Sequence, residues 1–276
     1  MPSNLQDYTA GHVEAARRVL AELSGMFAKY RDKYRLVGGW VPSILYPEGR
    51  HVGSIDIDLL LNHTRLEDSE ADEIQELMEK RGYVRRAEQP FTYYRVVTVN
   101  DVDYEVDVDL LAGKYKGKHV GRRTQHIQGL KARQAIGGQF AFEQDAREIE
   151  LQSMLPNGTT NTIRVSVVDV LPFLCMKAAA LDSRNKPKDA YDINFIMEHH
   201  PGGYRQLAVE AAPHARHGVV KSMLDILERQ FGSPTSPGCV DAADFEEEDD
   251  EEGRSILLRR ISERVMAFVR ALKGEE

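Results

Sequence analysis

Residues 36–61 read LVGGWVPSILYPEGRHVGSIDIDLLL, and this stretch restricts the fold more than any other. An apolar lead-in ends at the Gly38-Gly39 pair. Pro47 and Gly49 mark a loop, Gly53-Ser54 follows, and then Asp56 and Asp58 alternate with Ile55, Ile57 and Leu59. Alternation with a period of two belongs to a β-strand, so both aspartates share one face and the aliphatic side chains the other. Two adjacent carboxylates repel unless a cation joins them, and a hard divalent ion with oxygen ligands does this well. Gly53 allows close backbone approach and Ser54 adds a hydroxyl, which makes a cradle for phosphate oxygens beside the ion. An isolated Asp-x-Asp would read equally well as a charged edge strand facing water. Gly-Gly upstream and Gly-Ser at this spacing argue against that reading.

Gly-Gly followed by Gly-Ser-x-Asp-x-Asp resembles the signature of the nucleotidyltransferase superfamily, whose members are similar to the palm of DNA polymerase β. The resemblance implies an α+β fold, with a nucleotidyltransferase-type mixed sheet flanked by helices and then a mainly helical C-terminal domain. The expected division is a catalytic domain over residues 1–168 and a helical domain over 169–276 that completes the active-site cleft. The resemblance also implies a third metal carboxylate on a strand just after Asp-x-Asp, often written Val-Asp-Leu-Leu. Val108-Asp109-Leu110-Leu111 fits, so Asp56, Asp58 and Asp109 are the expected metal ligands, with Asp107 in reserve. Asp103, Glu105, Asp107 and Asp109 alternate along one face of that strand, and four acids so placed must be wet or metal-bound.

A second motif lies downstream. Lys177 is the lone cation in the apolar middle of FLCMKAAALDSR, and Arg184 and Lys188-Asp189-x-x-Asp192 follow. This pattern resembles the AbiEii-like branch, known from abortive-infection and toxin–antitoxin systems. The resemblance implies that Lys177 and Asp189, with Asp192 second, line the cleft from the helical side. A lysine in an apolar helix needs an anionic partner, and triphosphate would supply one. Asp189 would orient Lys177 or Arg184, or act as a base on the acceptor hydroxyl. A purely structural ion pair between two helices remains the alternative, above all for Asp192. One departure stands out: the family often carries Arg-Ser or Arg-Thr just before the first aspartate, whereas here Arg50 is displaced and Gly53-Ser54 stands nearer.

The resemblance thus implies a catalytic set of Asp56, Asp58, Lys177 and Asp189. Nucleotide would be held by Gly38, Gly39, Gly53, Ser54 and Lys177. Mg²⁺ is the expected cofactor, with Mn²⁺ as a substitute, and an NTP the substrate. The expected reaction moves NMP to an acceptor hydroxyl and releases pyrophosphate. An RNA 3′ end such as tRNA is the leading acceptor, and a cognate antitoxin is the leading protein partner. A small molecule of the aminoglycoside kind, a protein hydroxyl, and a catalytically silent nucleotide-binding module are the alternatives.

Periodicity predicts helices over 5–30, 40–45, 66–81, a span opening at Asp169, 188–200, and 255–272, with an amphipathic pattern over 204–231 broken at Pro213. His12 belongs to the apolar face of the first helix. Strands are expected over 83–86, 91–99, 103–111, 140–148 and 161–168, with a tight Asn100-Asp101 turn. The net charge of −8 is local, since Asp244 and residues 246–252 account for all of it. With Gly232-Ser-Pro-Thr-Ser-Pro-Gly before it, composition predicts an acidic linker near 232–253. Residues 112–133 contain Lys114, Lys116, Lys118, Arg122, Arg123, Lys131 and Arg133 and no acid, which suits contact with a phosphate backbone. Two cysteines, Cys175 and Cys239, make no disulfide framework, and no apolar run reaches membrane-spanning length, so the cytoplasm is the expected location.

Overall fold

The computed structural model describes residues 4–113, 124–127, 130–184, 186–247 and 250–275. The chain divides into two compact units, one of Tyr8–Ile44 and Gly53–Pro172, the other of Met1–Asp7, Leu45–Val52 and Phe173–Glu276.

The first unit is a mixed sheet flanked by helices. Thr9 caps α1 (Ala10–Met26) by accepting from the His12 N–H. The predicted helix over 5–30 is therefore shorter, ending before a 3-10 stretch at Ala28–Lys33. Next come β1 (Tyr34–Val37), α2 (Trp40–Leu45), β2 (Asp56–Leu61) and α3 (Asp68–Lys80). A reciprocal Glu67–Glu70 capping box opens α3, and Gly82 in the left-handed region follows it. The strands β3 (Val84–Arg85), β4 (Thr92–Val99), β5 (Val102–Gly113), β6 (Thr124–Ile127) and β7 (Leu130–Ala135) precede α4 (Gly138–Ala141), β8 (Arg147–Met154) and β9 (Thr160–Val167). Asn100 and Asp101 both have positive φ, 50° and 62°, as a two-residue hairpin turn requires.

The strand order is β3-β4-β5-β2-β1-β9-β8, with β7 also paired to β5 and β6 to β7. The β2–β5, β1–β9 and β5–β7 pairs are parallel and the others antiparallel. Ile57, Leu59, Val106, Val108 and Leu110 are buried, and α1 packs across β4, β5, β9, β8 and β2. Burying such aliphatic side chains contributes about 1.5–3 kcal/mol each, which makes this face the core of the unit.

The strand expected over 140–148 begins only at Arg147; its first part is the short helix α4. Gly137, at φ 84°, turns the chain, and Gly138 lies so close to Gly113 that a Cβ would meet the Gly113 Cα at 3.0 Å. Phe140 is buried by this turn, so its apolar character reflects packing and not a strand.

The second unit is built from α5 (Val170–Ser183), α6 (Pro187–His199), α7 (Gly203–Ala211), α8 (Gly218–Phe231), α9 (Pro237–Glu246) and α10 (Glu251–Lys273). Asp169 directly precedes α5 and accepts from the Val170 N–H at 2.8 Å. The expected acidic linker near 232–253 is corrected here. Ser236 and Pro237 open α9, whose Cys239, Ala242, Ala243 and Phe245 are buried. Pro at the first helical position stops nothing, because its missing N–H has no partner there in any helix. Ile261, Val265, Phe268, Val269 and Leu272 of α10 are buried, and α10 packs on α7, α8, α9 and α6, so its partner surface lies within the unit. Among the described residues no helix is long and apolar enough to cross a membrane.

Candidate functional site

Parallel pairing of β2 with β5 sets Asp56 beside Asp107 and Asp58 beside Asp109. Residues in register on neighbouring strands point to the same side, so four carboxylates form a two-by-two array on one face of the sheet. Ile57 and Val108, between them in sequence, are fully buried on the other face.

Each carboxylate has a partner within the unit. The Ser54 hydroxyl, itself buried, donates to Asp56 Oδ1. Arg86 Nε donates to Asp107 at 2.8 Å, and the same guanidinium reaches Glu105. The Thr92 hydroxyl donates to Asp109 Oδ1 at 2.5 Å. Arg133 Nη2 lies 3.2 Å from Asp109 Oδ2 and 4.0 Å from Asp58 Oδ1. Burial pushes the Asp109 carboxyl above its ordinary range, with Asp56 and Asp107 adding to the rise, while Thr92 and Arg133 pull it back in part.

The glycines shape this face. Gly38, at φ 74°, sits where a Cβ would lie 2.0 Å from Asp58 Oδ2, so only glycine lets the β1–α2 turn abut that carboxylate. Gly39 is buried in the same turn. Gly53, at φ 81°, faces Val13 and Trp40.

The donor set is all oxygen and strongly anionic, which fits a hard divalent cation. Gly38 lets the backbone turn pack directly against the Asp58 carboxylate, and the Arg133 guanidinium stands where positive charge is demanded. Among the described residues no three carboxylate, thiolate or imidazole groups are already gathered into a ready-made ion cage. Asp109 has its two oxygens turned to Thr92 and Arg133 instead.

The second motif forms a buried ionic network inside the helical unit. Lys177 of α5 places Nζ 2.7 Å from Asp189 Oδ1 and 2.6 Å from Asp192 Oδ2, both on α6. Arg184 Nε donates to Asp189 at 3.0 Å, and Lys188 Nζ to Asp192 at 2.9 Å. His51 Nε2 lies 2.9 Å from Asp192 Oδ1, its ring stacked 5.1 Å from Tyr191 and edge-on to Phe195. Burial alone would lower the Lys177 ammonium, but Asp189 and Asp192 outweigh it and raise its pKa. Burial alone would likewise raise Asp189 and Asp192, yet Lys177 with Arg184, and Lys177 with Lys188 and His51, hold them below the usual carboxylate range.

His51 gives the network a defined acid response. Burial, then Lys188, pushes its pKa down from 6.5 to about 4, against the pull of Asp192. The folded pKa is the lower one, so the unfolded chain takes up the proton first. The associated stability is complete above pH 6.5 and is lost as pH falls toward 4. A shift of this size corresponds to about 3 kcal/mol. Urea unfolding should therefore show a falling midpoint across that window, and His51→Gln should flatten it. Asp189 and Asp192 add their own losses only below their ordinary value of 3.8.

The sequence reading placed Asp56, Asp58, Asp107 and Asp109 on strands, and the register brings all four together. It assigned Arg133 to a phosphate backbone, whereas the guanidinium lies on two of the proposed metal ligands. Residues 114–123 and 128–129 of that basic run, Lys114, Lys116, Lys118, Arg122 and Arg123 among them, lie outside the described residues. Thr92 was missed, although pairing Val99 with Val102 across the Asn100-Asp101 turn already sets Thr92 opposite Asp109. His51 was missed because its partner is distant in sequence, and no local pattern marks it.

A family model described as nucleotidyl transferase AbiEii toxin, type IV TA system, matches residues 19–269. No curated protein matches the chain.

Proposed function

Because the chain belongs to the AbiEii nucleotidyl transferase toxin family, a nucleotidyltransferase family, we propose that it moves NMP from an NTP to an RNA 3′ end, tRNA foremost, releasing pyrophosphate. The observation that carries this reading is the Asp56, Asp58, Asp107 and Asp109 array, with Gly38 against Asp58 and Ser54 on Asp56. Asp56, Asp58 and Asp109 would hold Mg²⁺, or Mn²⁺ in its place, with Asp107 taken by Arg86. When bound, such an ion neutralises phosphate charge and lowers the pKa of an acceptor hydroxyl.

The chain's own groups supply the positioning. Gly53 and the Ser54 hydroxyl would grip the triphosphate, and the Gly38-Gly39 turn would line the nucleotide with bare backbone. Lys177 would add positive charge for the triphosphate, and its two carboxylate partners within the helical unit hold it charged. Lys177 and Arg184 hold the Asp189 carboxyl below its usual range, which favours a role in orienting those two cations over one as a base. Asp192, enclosed by Lys177, Lys188 and His51, is a structural hub. Positioning and fixed charge carry most of the barrier reduction in such transfers.

The basic run over 112–133 favours RNA as acceptor. The family's placement in toxin–antitoxin systems makes a cognate antitoxin the expected protein partner. The test incubates the purified chain with Mg²⁺, each α-³²P NTP in turn, and total tRNA or a protein lysate, beside an Asp56→Ala control. We expect label on RNA that the control lacks. Label on a protein band would replace RNA with a protein acceptor. No label and no NTP binding by calorimetry would leave a silent module.

A further inference from the structure

Arg133 ends the basic run, yet it faces carboxylates. Parallel pairing of β7 with β5 sets it opposite Leu111, at the end of the strand that carries Asp109. Its Nη2 is 3.2 Å from Asp109 Oδ2 and 4.0 Å from Asp58 Oδ1, and its guanidinium lies over the Phe91 ring, 5.6 Å from the centroid. Phe91 directly precedes Thr92, whose hydroxyl takes the other oxygen of Asp109. The carboxylate is therefore spoken for on both sides, by a neutral donor on Oδ1 and a cation on Oδ2.

We propose that Arg133 is a resident counter-cation that a divalent ion must displace from Asp58 and Asp109, so that the site takes up metal poorly alone and well only together with a triphosphate. This rests on the reading of those two residues as metal ligands. A free divalent ion approaching Asp109 meets the guanidinium at close range in a half-buried setting, where screening by water is weak. A nucleotide changes the balance because its phosphates attract the guanidinium. The planar fork of arginine matches phosphate oxygens as well as it matches carboxylate, and aromatic rings such as Phe91 support it by stacking. Moving Arg133 from carboxylate to phosphate exposes Asp109 Oδ2 to the ion and adds a cation to the triphosphate in one motion. Metal and nucleotide then bind with positive coupling, each raising the affinity of the other. The alternative is a permanent tie, in which Arg133 keeps the carboxylates in place for the ion. The two accounts predict opposite effects of its removal.

The experiment measures Mn²⁺ binding to the full chain by electron paramagnetic resonance. It is run with Mn²⁺ alone and with Mn²⁺ plus a non-hydrolysable analogue of each of the four NTPs. Asp58→Asn supplies the background from other acidic sites. Arg85→Gln removes the same charge from a residue that donates to the Tyr93 hydroxyl and serves as the control. We expect Arg133→Gln to bind free Mn²⁺ more tightly by on the order of tenfold, and to lose most of the further gain that nucleotide gives the wild type. Arg133→Lys, which keeps the charge but not the fork, should fall between the two, and Arg85→Gln should match the wild type. Free Mn²⁺ affinity that is unchanged or weaker in both Arg133 variants would overturn the proposal and leave the metal reading standing. An absence of Mn²⁺ binding above the Asp58→Asn background in every variant, with or without nucleotide, would remove the metal reading itself.

Discussion

Asp58→Asn should abolish nucleotide transfer while leaving the protein as stable as the wild type, or slightly more so. Asp58 stands beside Asp109 in the β2–β5 register and within 4.0 Å of Arg133. It is half-buried, so its backbone and packing contacts survive the change of one oxygen to nitrogen. What disappears is a formal charge at the point where the all-oxygen site would hold its cation. Metal charge stabilisation is worth several kcal/mol, and a loss of about 4 kcal/mol corresponds to a rate decrease on the order of a thousandfold. Removing one of four neighbouring carboxylates also relieves repulsion, which is the reason for expecting no fall in stability. Rate measurements on the labelled-NTP reaction, paired with thermal melts in EDTA, decide the matter. A variant retaining more than about a tenth of wild-type activity would exclude Asp58 from the metal set.

The second large effect lies in the helical unit and concerns folding. Asp192→Ala should destabilise the protein by about 3–5 kcal/mol, because it leaves buried charges without their counter-ion. Lys177, Lys188 and His51 all converge on this one carboxylate, and its side chain has no exposed surface. Urea denaturation at pH 7.5, where His51 is neutral, isolates the effect from acid protonation. A loss below about 1 kcal/mol would mean that the lysines find other partners or water, and that Asp192 is not the hub. Arg184→Ala is the useful comparison: it also removes a partner of Asp189, but its side chain is 46 % exposed and solvent compensates for much of the change.

The contrast between Asp58 and Asp192 shows what local pattern can and cannot reveal. Asp-x-Asp is legible because a strand has a period of two and the flanking aliphatic residues need a core. The hairpin is legible because Asn100 and Asp101 tolerate positive φ. Asp109 followed from the resemblance and from the same alternation. By contrast, Gly232-Ser-Pro-Thr-Ser-Pro-Gly has the composition of a linker, and only burial of Cys239, Ala242, Ala243 and Phe245 turns its far end into α9. Residues 140–148 carried a strand-like pattern that the Gly113–Gly138 approach overrode.

Neighbours along the chain are enough to specify the strand that presents Asp56 and Asp58, the glycine turns around it, the amphipathic helices and the pair of motifs that mark the family. They do so through periodicity, caps and turn conformations. Tertiary structure alone decided that Asp58 faces Asp109 in parallel register, that Arg133 lies on both, and that His51 closes over Asp192. Each of these joins residues far apart in sequence, where strand register and the desolvation of buried charges, not local propensity, select the partner.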